Sequence, residues 1–229
     1  MRLTSGIGKT LRGGVALLLV ACGWAWIGGT AKASLLTSGS TIPAASRADT
    51  GGTQEAQDLT ASIVPNGPSG LVGSLTSTVD VNDPSNPYYS PSSPGELTFI
   101  FQIVDAAGSS SSLQTLSLNG FTGFSIDASY ISAAGETAPV LISRPDSGGV
   151  DVVKFSFSPS SFGPGTTSTE LVLHTNATQY TTSTAAVNGT GPLQGNAPTF
   201  QPVPEPSTVM LASLGMVFVV GCGLRRRRV

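Results

Sequence analysis

The stretch ELTFIFQIVD at residues 96–105 puts Leu97, Phe99, Phe101 and Ile103 on one side of an extended chain, with Ile100 and Val104 on the other. Residues two apart share a face only in a strand, so this period decides the local structure. A strand that is apolar on both faces belongs in the middle of a sheet. The same period recurs along the body. GLVGSLTSTVDV aligns Leu71, Leu75, Val79 and Val81, and FSIDASYI aligns Phe124, Ile126, Ala128 and Tyr130. VDVVKFSFS aligns Val153, Phe155 and Phe157, and TELVLHT pairs Leu171 with Leu173. Shorter candidates cover 60–64, 113–118, 138–143 and 180–187. Gly, Pro, Asn and Asp clusters separate these segments, and no stretch of the body has a helical period. The expected fold is all-β, an antiparallel β-sandwich of roughly nine strands. The choice between immunoglobulin-like and jelly-roll topology stays open. No fixed-period repeat points to a solenoid or propeller.

Composition supports a folded body: 39% of the residues are apolar, enough for a core, and only 10% are charged. Between residues 35 and 204 the basic residues are Arg47, Arg144 and Lys154, set against twelve carboxylates, which leaves −9. A body of that sign repels phosphate backbones, so nucleic acid is not an expected partner. Both cysteines, Cys22 and Cys222, lie in terminal apolar segments. The body therefore has no disulfide and no thiolate metal site, and its stability rests on packing and sheet hydrogen bonds.

The N-terminal MRLTSGIGKTLRGGVALLLVACGWAWIGGTAKAS has a positive start, an apolar run and small residues at its end. Ala31 and Ala33 satisfy the small-x-small rule, giving a signal helix cut between Ala33 and Ser34. LVAC at 19–22 also resembles a lipobox, which would lipidate Cys22 instead. At the other end, Val209 to Leu224 carries no charge. As a helix of about 16 residues it spans about 24 Å, slightly short of a hydrocarbon core of about 30 Å. Arg225, Arg226, Arg227 and Arg228 follow and resist translocation. The body then lies outside the inner membrane. Before the apolar segment, Pro204-Glu205-Pro206 holds the chain extended and helix-free.

An extended Pro-Glu-Pro triplet, an apolar helix and an arginine cluster, in that order, resemble the PEP-CTERM sorting domain of bacterial exported proteins. The resemblance covers VPEPSTVMLASLGMVFVVGCGLRRRRV, residues 203–229. It implies recognition by an exosortase, a membrane-embedded transpeptidase-like protease, after delivery by the Sec machinery and signal peptidase. Under it Pro204, Glu205 and Pro206 are the sorting motif, and Arg225 to Arg228 the stop-transfer cluster. FSFSPSSFGPGTTSTELVLHTNATQYTTSTAAVNGTG is also similar to the bodies of other PEP-CTERM proteins, and that likeness implies no activity. The domain organisation follows: signal peptide 1–33, polar linker 34–58, β-sandwich 59–200, sorting and anchor segment 201–229.

Chemistry is sparse. His174 is the single histidine and faces away from Leu171 and Leu173, where a surface position is expected. No G-x-S-x-G frame accompanies it, and the carboxylates form no recognisable pair. Asp80, Asn82 and Asp83 in VDVNDPSNPYY offer oxygens to Ca²⁺, but not at EF-hand spacing. Tyr88 and Tyr89 are the only adjacent aromatic pair that could stack a sugar. No catalytic, cofactor-binding or metal-binding residue is assigned, and no cofactor is expected. The reading is a non-enzymatic protein of the envelope or extracellular matrix. By resemblance it is structural or adhesive and linked to exopolysaccharide and biofilm, with an extracellular polysaccharide as a further partner. The alternatives are a secreted carbohydrate- or Ca²⁺-binding sandwich and, behind it, a secreted hydrolase.

Overall fold

The computed structural model describes residues 35–66, 70–147 and 150–204. The signal peptide with Ala31, Ala33 and Ser34, Cys22, the apolar tail helix, Glu205, Pro206 and Arg225 to Arg228 lie outside the described residues. Among the described residues no helix is long and apolar enough to cross a membrane.

The described chain is all β. Its strands are β1 (Ser40–Pro43), β2 (Thr53–Ser62), β3 (Val64–Pro65), β4 (Gly73–Val81), β5 (Leu97–Asp105), β6 (Leu113–Leu118) and β7 (Ile126–Ile131). They continue as β8 (Leu141–Arg144), β9 (Asp146–Ser147), β10 (Val150–Asp151), β11 (Val153–Ser156), β12 (Glu170–Thr175), β13 (Tyr180–Gly189) and β14 (Gln194–Pro202). One sheet has the order β1-β8-β11-β6-β13-β14-β3, the other β2-β4-β5-β12-β7, and β9 and β10 form a small ribbon. All the strand pairings are antiparallel.

The period of two does what it predicts. Leu97, Phe99, Phe101 and Ile103 of β5, Leu171 and Leu173 of β12, and Leu75 and Val79 of β4 point inward and are buried. They meet Leu116 and Leu118 of β6, Phe155 of β11 and Val187 of β13 in one apolar cluster. Phe99 packs edge-on against Phe121 at 5.7 Å between ring centroids. Residues from both sheets share this cluster, the arrangement of a β-sandwich. β5 is the middle strand of its sheet, as its two apolar faces require. Its second face is only partly covered, however, and Val104 is exposed.

The expected nine strands are too few: fourteen are present among the described residues. β14 is the largest addition. Pro198 hides it from propensity reasoning, yet β3 reaches only Gly195 and Asn196, so the edge beside Pro198 needs no donor for a strand ladder. The expected polar linker 34–58 is corrected as well. It carries β1, pairing with β8, and the start of β2. Between these strands the chain runs along β7, where Arg47 N donates to Tyr130 O at 2.9 Å and Tyr130 N to Ala45 O at 3.3 Å. Backbone hydrogen bonds, which an apolarity pattern does not register, fix this polar arm and close the free edge of β7.

Asp105, at the end of β5, is fully buried, and neither carboxylate oxygen has a hydrogen-bond partner. Burial raises its pKa, and the nearby Ser109 hydroxyl offsets this only in part. A raised carboxylate pKa withdraws stability as pH climbs through the folded value. Asp105→Asn is therefore expected to be more stable than wild type at neutral pH. The gain is about 1 kcal/mol, the scale of one unpaired buried polar group. Urea unfolding should show this gain disappearing below the ordinary value of 3.8, where both states hold the proton. A gain that persists unchanged in acid would contradict the account.

Candidate functional site

Strand register builds the site. On the outer face of the five-stranded sheet, Asp80 lies opposite Thr98, Thr98 opposite His174, and His174 opposite Asp127. These four residues form one cross-strand row over β4, β5, β12 and β7. His174 does face away from Leu171 and Leu173, but it is not at the surface: only 1% of it is exposed. The arm before β2 and the loop after β4 cover this end of the sheet and bring in Arg47, Asp49 and Asp83.

Local backbone chemistry puts both segments there. Asn82 ends β4 at φ 57°, a left-handed conformation that asparagine tolerates, and Asp83 follows it into a fully buried position. Asn86 locks the loop by donating from Nδ2 to Leu97 O at 3.3 Å and Thr175 O at 3.1 Å. In the arm, Asp49 Oδ1 accepts from Gly51 N at 2.8 Å, and Thr50 N donates to Ser85 Oγ at 2.7 Å. Gly52 passes so close to the loop that a Cβ there would collide with the Val81 carbonyl oxygen. Only glycine allows the arm to approach this closely.

The imidazole is surrounded by carboxylates. Nε2 is 3.2 Å from Asp83 Oδ2 and 3.6 Å from Asp49 Oδ2, and Nδ1 is 3.4 Å from Asp127 Oδ2. Arg47 pairs with Asp127 Oδ2, and its Nη2 is 3.1 Å from His174 Nδ1. A protonated Nδ1 donates to Asp127, which then bridges two cations. Burial pulls the His174 pKa down, but the adjoining carboxylates of Asp127, Asp49 and Asp83 outweigh it and raise the value to about 10. Burial likewise pushes Asp83 and Asp127 up, but contacts with His174, joined by Ser85 N and Thr98 at Asp83 and by Arg47 at Asp127, outweigh it, so both end below the usual carboxylate range. Asp80, at the edge of the row, accepts from Gly52 N at 3.3 Å. Its pKa is raised, by burial first and then by the charges of Asp49 and Asp83.

Asp80, Asn82 and Asp83 do not converge as a Ca²⁺ site would require. Asn82 is exposed, and Asp83 turns toward His174. The group that does converge is Asp49, Asp83 and His174, with one ligand atom from each within 4.8 Å of the others. Of these three, sequence reasoning offers only Asp83 to a cation, and with Asp80 and Asn82 as its partners. The signals present are the outward direction of Asp127 and His174 and the two turn sequences ADTGG and NDPSN. Only the strand register joins them. Tyr88 and Tyr89 are half-buried in the loop after Asp83 rather than presented as a flat platform.

The body ends close to its tail. Val203 N donates to Gln179 O at 2.9 Å, and exposed Pro204 follows. The profile of the PEP-CTERM protein-sorting motif matches residues 202–228. The chain carries a PEP-CTERM sorting motif. No curated protein and no solved structure matches the chain. A PEP-CTERM motif marks an exported, membrane-associated protein sorted by an exosortase. Of the sorting residues, Pro204 stands at the end of the described chain, one residue beyond the last backbone hydrogen bond of the body.

Proposed function

We propose that this PEP-CTERM chain is a non-enzymatic structural or adhesive protein of the cell envelope or extracellular matrix. The signal peptide is removed after Ala33, and the tail helix holds the body outside the inner membrane until the exosortase processes it. The matrix polysaccharide is the partner its body meets there. One observation carries the reading: a sorting motif at 202–228 that follows directly on the last strand of a β-sandwich. The buried His174 cluster is consistent with it. Covered by the arm and the loop, these charges are placed to hold the fold rather than to meet a substrate.

The test is the intact mass of the protein, with both termini mapped, from cells with and without the exosortase. The expected wild-type product begins at Ser34 and lacks the residues beyond the Pro-Glu-Pro region, while the knockout product keeps them. A tail retained in both strains would make the segment a plain anchor. A lipid mass on Cys22 would overturn cleavage after Ala33.

A further inference from the structure

Three features of the buried cluster point beyond an ion-pair network. First, His174 Nε2 and Asp49 Oδ2 are buried, with side-chain exposures of 2% and 4%, and neither has a hydrogen-bond partner. Asp83 Oδ2 lies within ion-pair distance of Nε2, yet off the direction in which a ring N–H would donate. Second, the spacing suits a small cation. Ligand atoms on a tetrahedral zinc site stand ~3.3 Å apart, given bonds of about 2.0–2.1 Å. The separations from Nε2 are 3.2 and 3.6 Å. Third, the charges do not balance. Asp49, Asp83 and Asp127 face Arg47 and the protonated imidazole, which leaves a formal −1, and −2 once a metal ion replaces the proton on Nε2.

We infer that Asp49, Asp83 and His174 bind one divalent metal ion of the zinc class, which ties the N-terminal arm and the loop after β4 to the outer face of the five-stranded sheet. Each ligand comes from a different segment: the arm, the loop and β12. Asp127 accepts from Nδ1–H and so leaves the Nε2 lone pair for the metal, the usual carboxylate–histidine–metal relay. Thr98 Oγ1 donates to Asp83 Oδ2 at 2.9 Å and Ser85 N to Asp83 Oδ1 at 2.8 Å, which orients that ligand. Imidazole with two carboxylates selects a transition-type cation over Ca²⁺, which needs six or more oxygens. Three protein ligands leave a fourth position for water. In a body without cysteine, the ion takes the place a disulfide would have in an exported domain. This inference is independent of the sorting reading.

The full chain, purified in detergent and stripped with EDTA, is titrated with Zn²⁺ alone by calorimetry and thermal melting. The expected result is one Zn²⁺ per chain and a higher Tm on loading. Co²⁺ in its place should give visible absorption bands of a nitrogen–oxygen site. Asp49→Asn, in the arm, leaves the sheet intact and should weaken Zn²⁺ binding about 10-fold or more. His174→Gln should abolish the Co²⁺ bands. If His174→Gln does not fold, Asp49→Asn carries the test by itself. Wild type that takes up no stoichiometric Zn²⁺ overturns the inference, as do variants that bind like wild type. Ca²⁺ stabilising as strongly as Zn²⁺ would overturn the assigned metal class.

Discussion

In metal-free protein, the stability advantage of wild type over His174→Gln shrinks by roughly 3–5 kcal/mol as pH rises from below 6.5 through about 10. The folded imidazole holds its proton to about 10, against an ordinary 6.5 in the unfolded chain. A raised pKa favours the fold while both states are protonated, so the full contribution is present below 6.5. It drains away above that value as only the folded state still binds the proton, and is gone beyond about 10. On the acid side, Asp83 and Asp127 titrate below their ordinary 3.8. Their contribution is present above 3.8 and is lost as pH falls through their folded values. Urea unfolding in EDTA at a series of pH values, on wild type and His174→Gln, reads the difference directly. A gap that stays constant with pH would mean that the imidazole is held neutral, and the carboxylate cage would need another account.

Arg144→Ala is expected to lose about 3–5 kcal/mol, the range for breaking one half of a buried ion pair. Arg144 has a side-chain exposure of only 6%, and its Nη2 is 2.9 Å from Asp151 Oδ2. The same guanidinium donates to Leu36 O at 3.1 Å and Phe121 O at 2.9 Å. Its loss strands one carboxylate and two carbonyls in a poorly solvated place. It also loosens the chain before β1 at Leu36, although the 2.7 Å bond from Gly39 N to the Arg144 carbonyl is backbone and survives the substitution. Asp151 keeps one partner, Ser38 Oγ at 2.8 Å. The double variant Arg144→Met/Asp151→Asn should recover part of the loss, since the stranded charge is then gone. A loss under about 1 kcal/mol would class the pair with exposed surface bridges.

The strands with an apolar period of two were legible, and β6 falls at Leu113–Leu118, where the pattern places it. β14 was not, because proline and small residues mask a strand whose order comes from its neighbour. The arm was not, because polar segments are held by backbone hydrogen bonds to partners far along the chain. His174 shows the limit most sharply. Its direction, away from Leu171 and Leu173, follows from the period. Its burial depends on Asp49 and Asp83, which lie about 125 and 90 positions earlier and reach it only after the sheet has assembled. A local pattern carries facing; it does not carry what lies above a face.

β14 pairs with β13 from Tyr180↔Pro202 to Asn188↔Gln194, while β3 touches only its first residues. Pro204, the first residue of the sorting triplet, stands two places beyond the end of this strand. Tension on the tail is thus delivered to β14 with almost no slack. Pulled along its own axis, the strand loads the whole ladder to β13 in shear. Pulled away from the sheet, it opens one rung at a time, beginning at Tyr180. The mechanical strength of the molecule against a pull on its C-terminal end is therefore set by the direction in which that last strand meets the load.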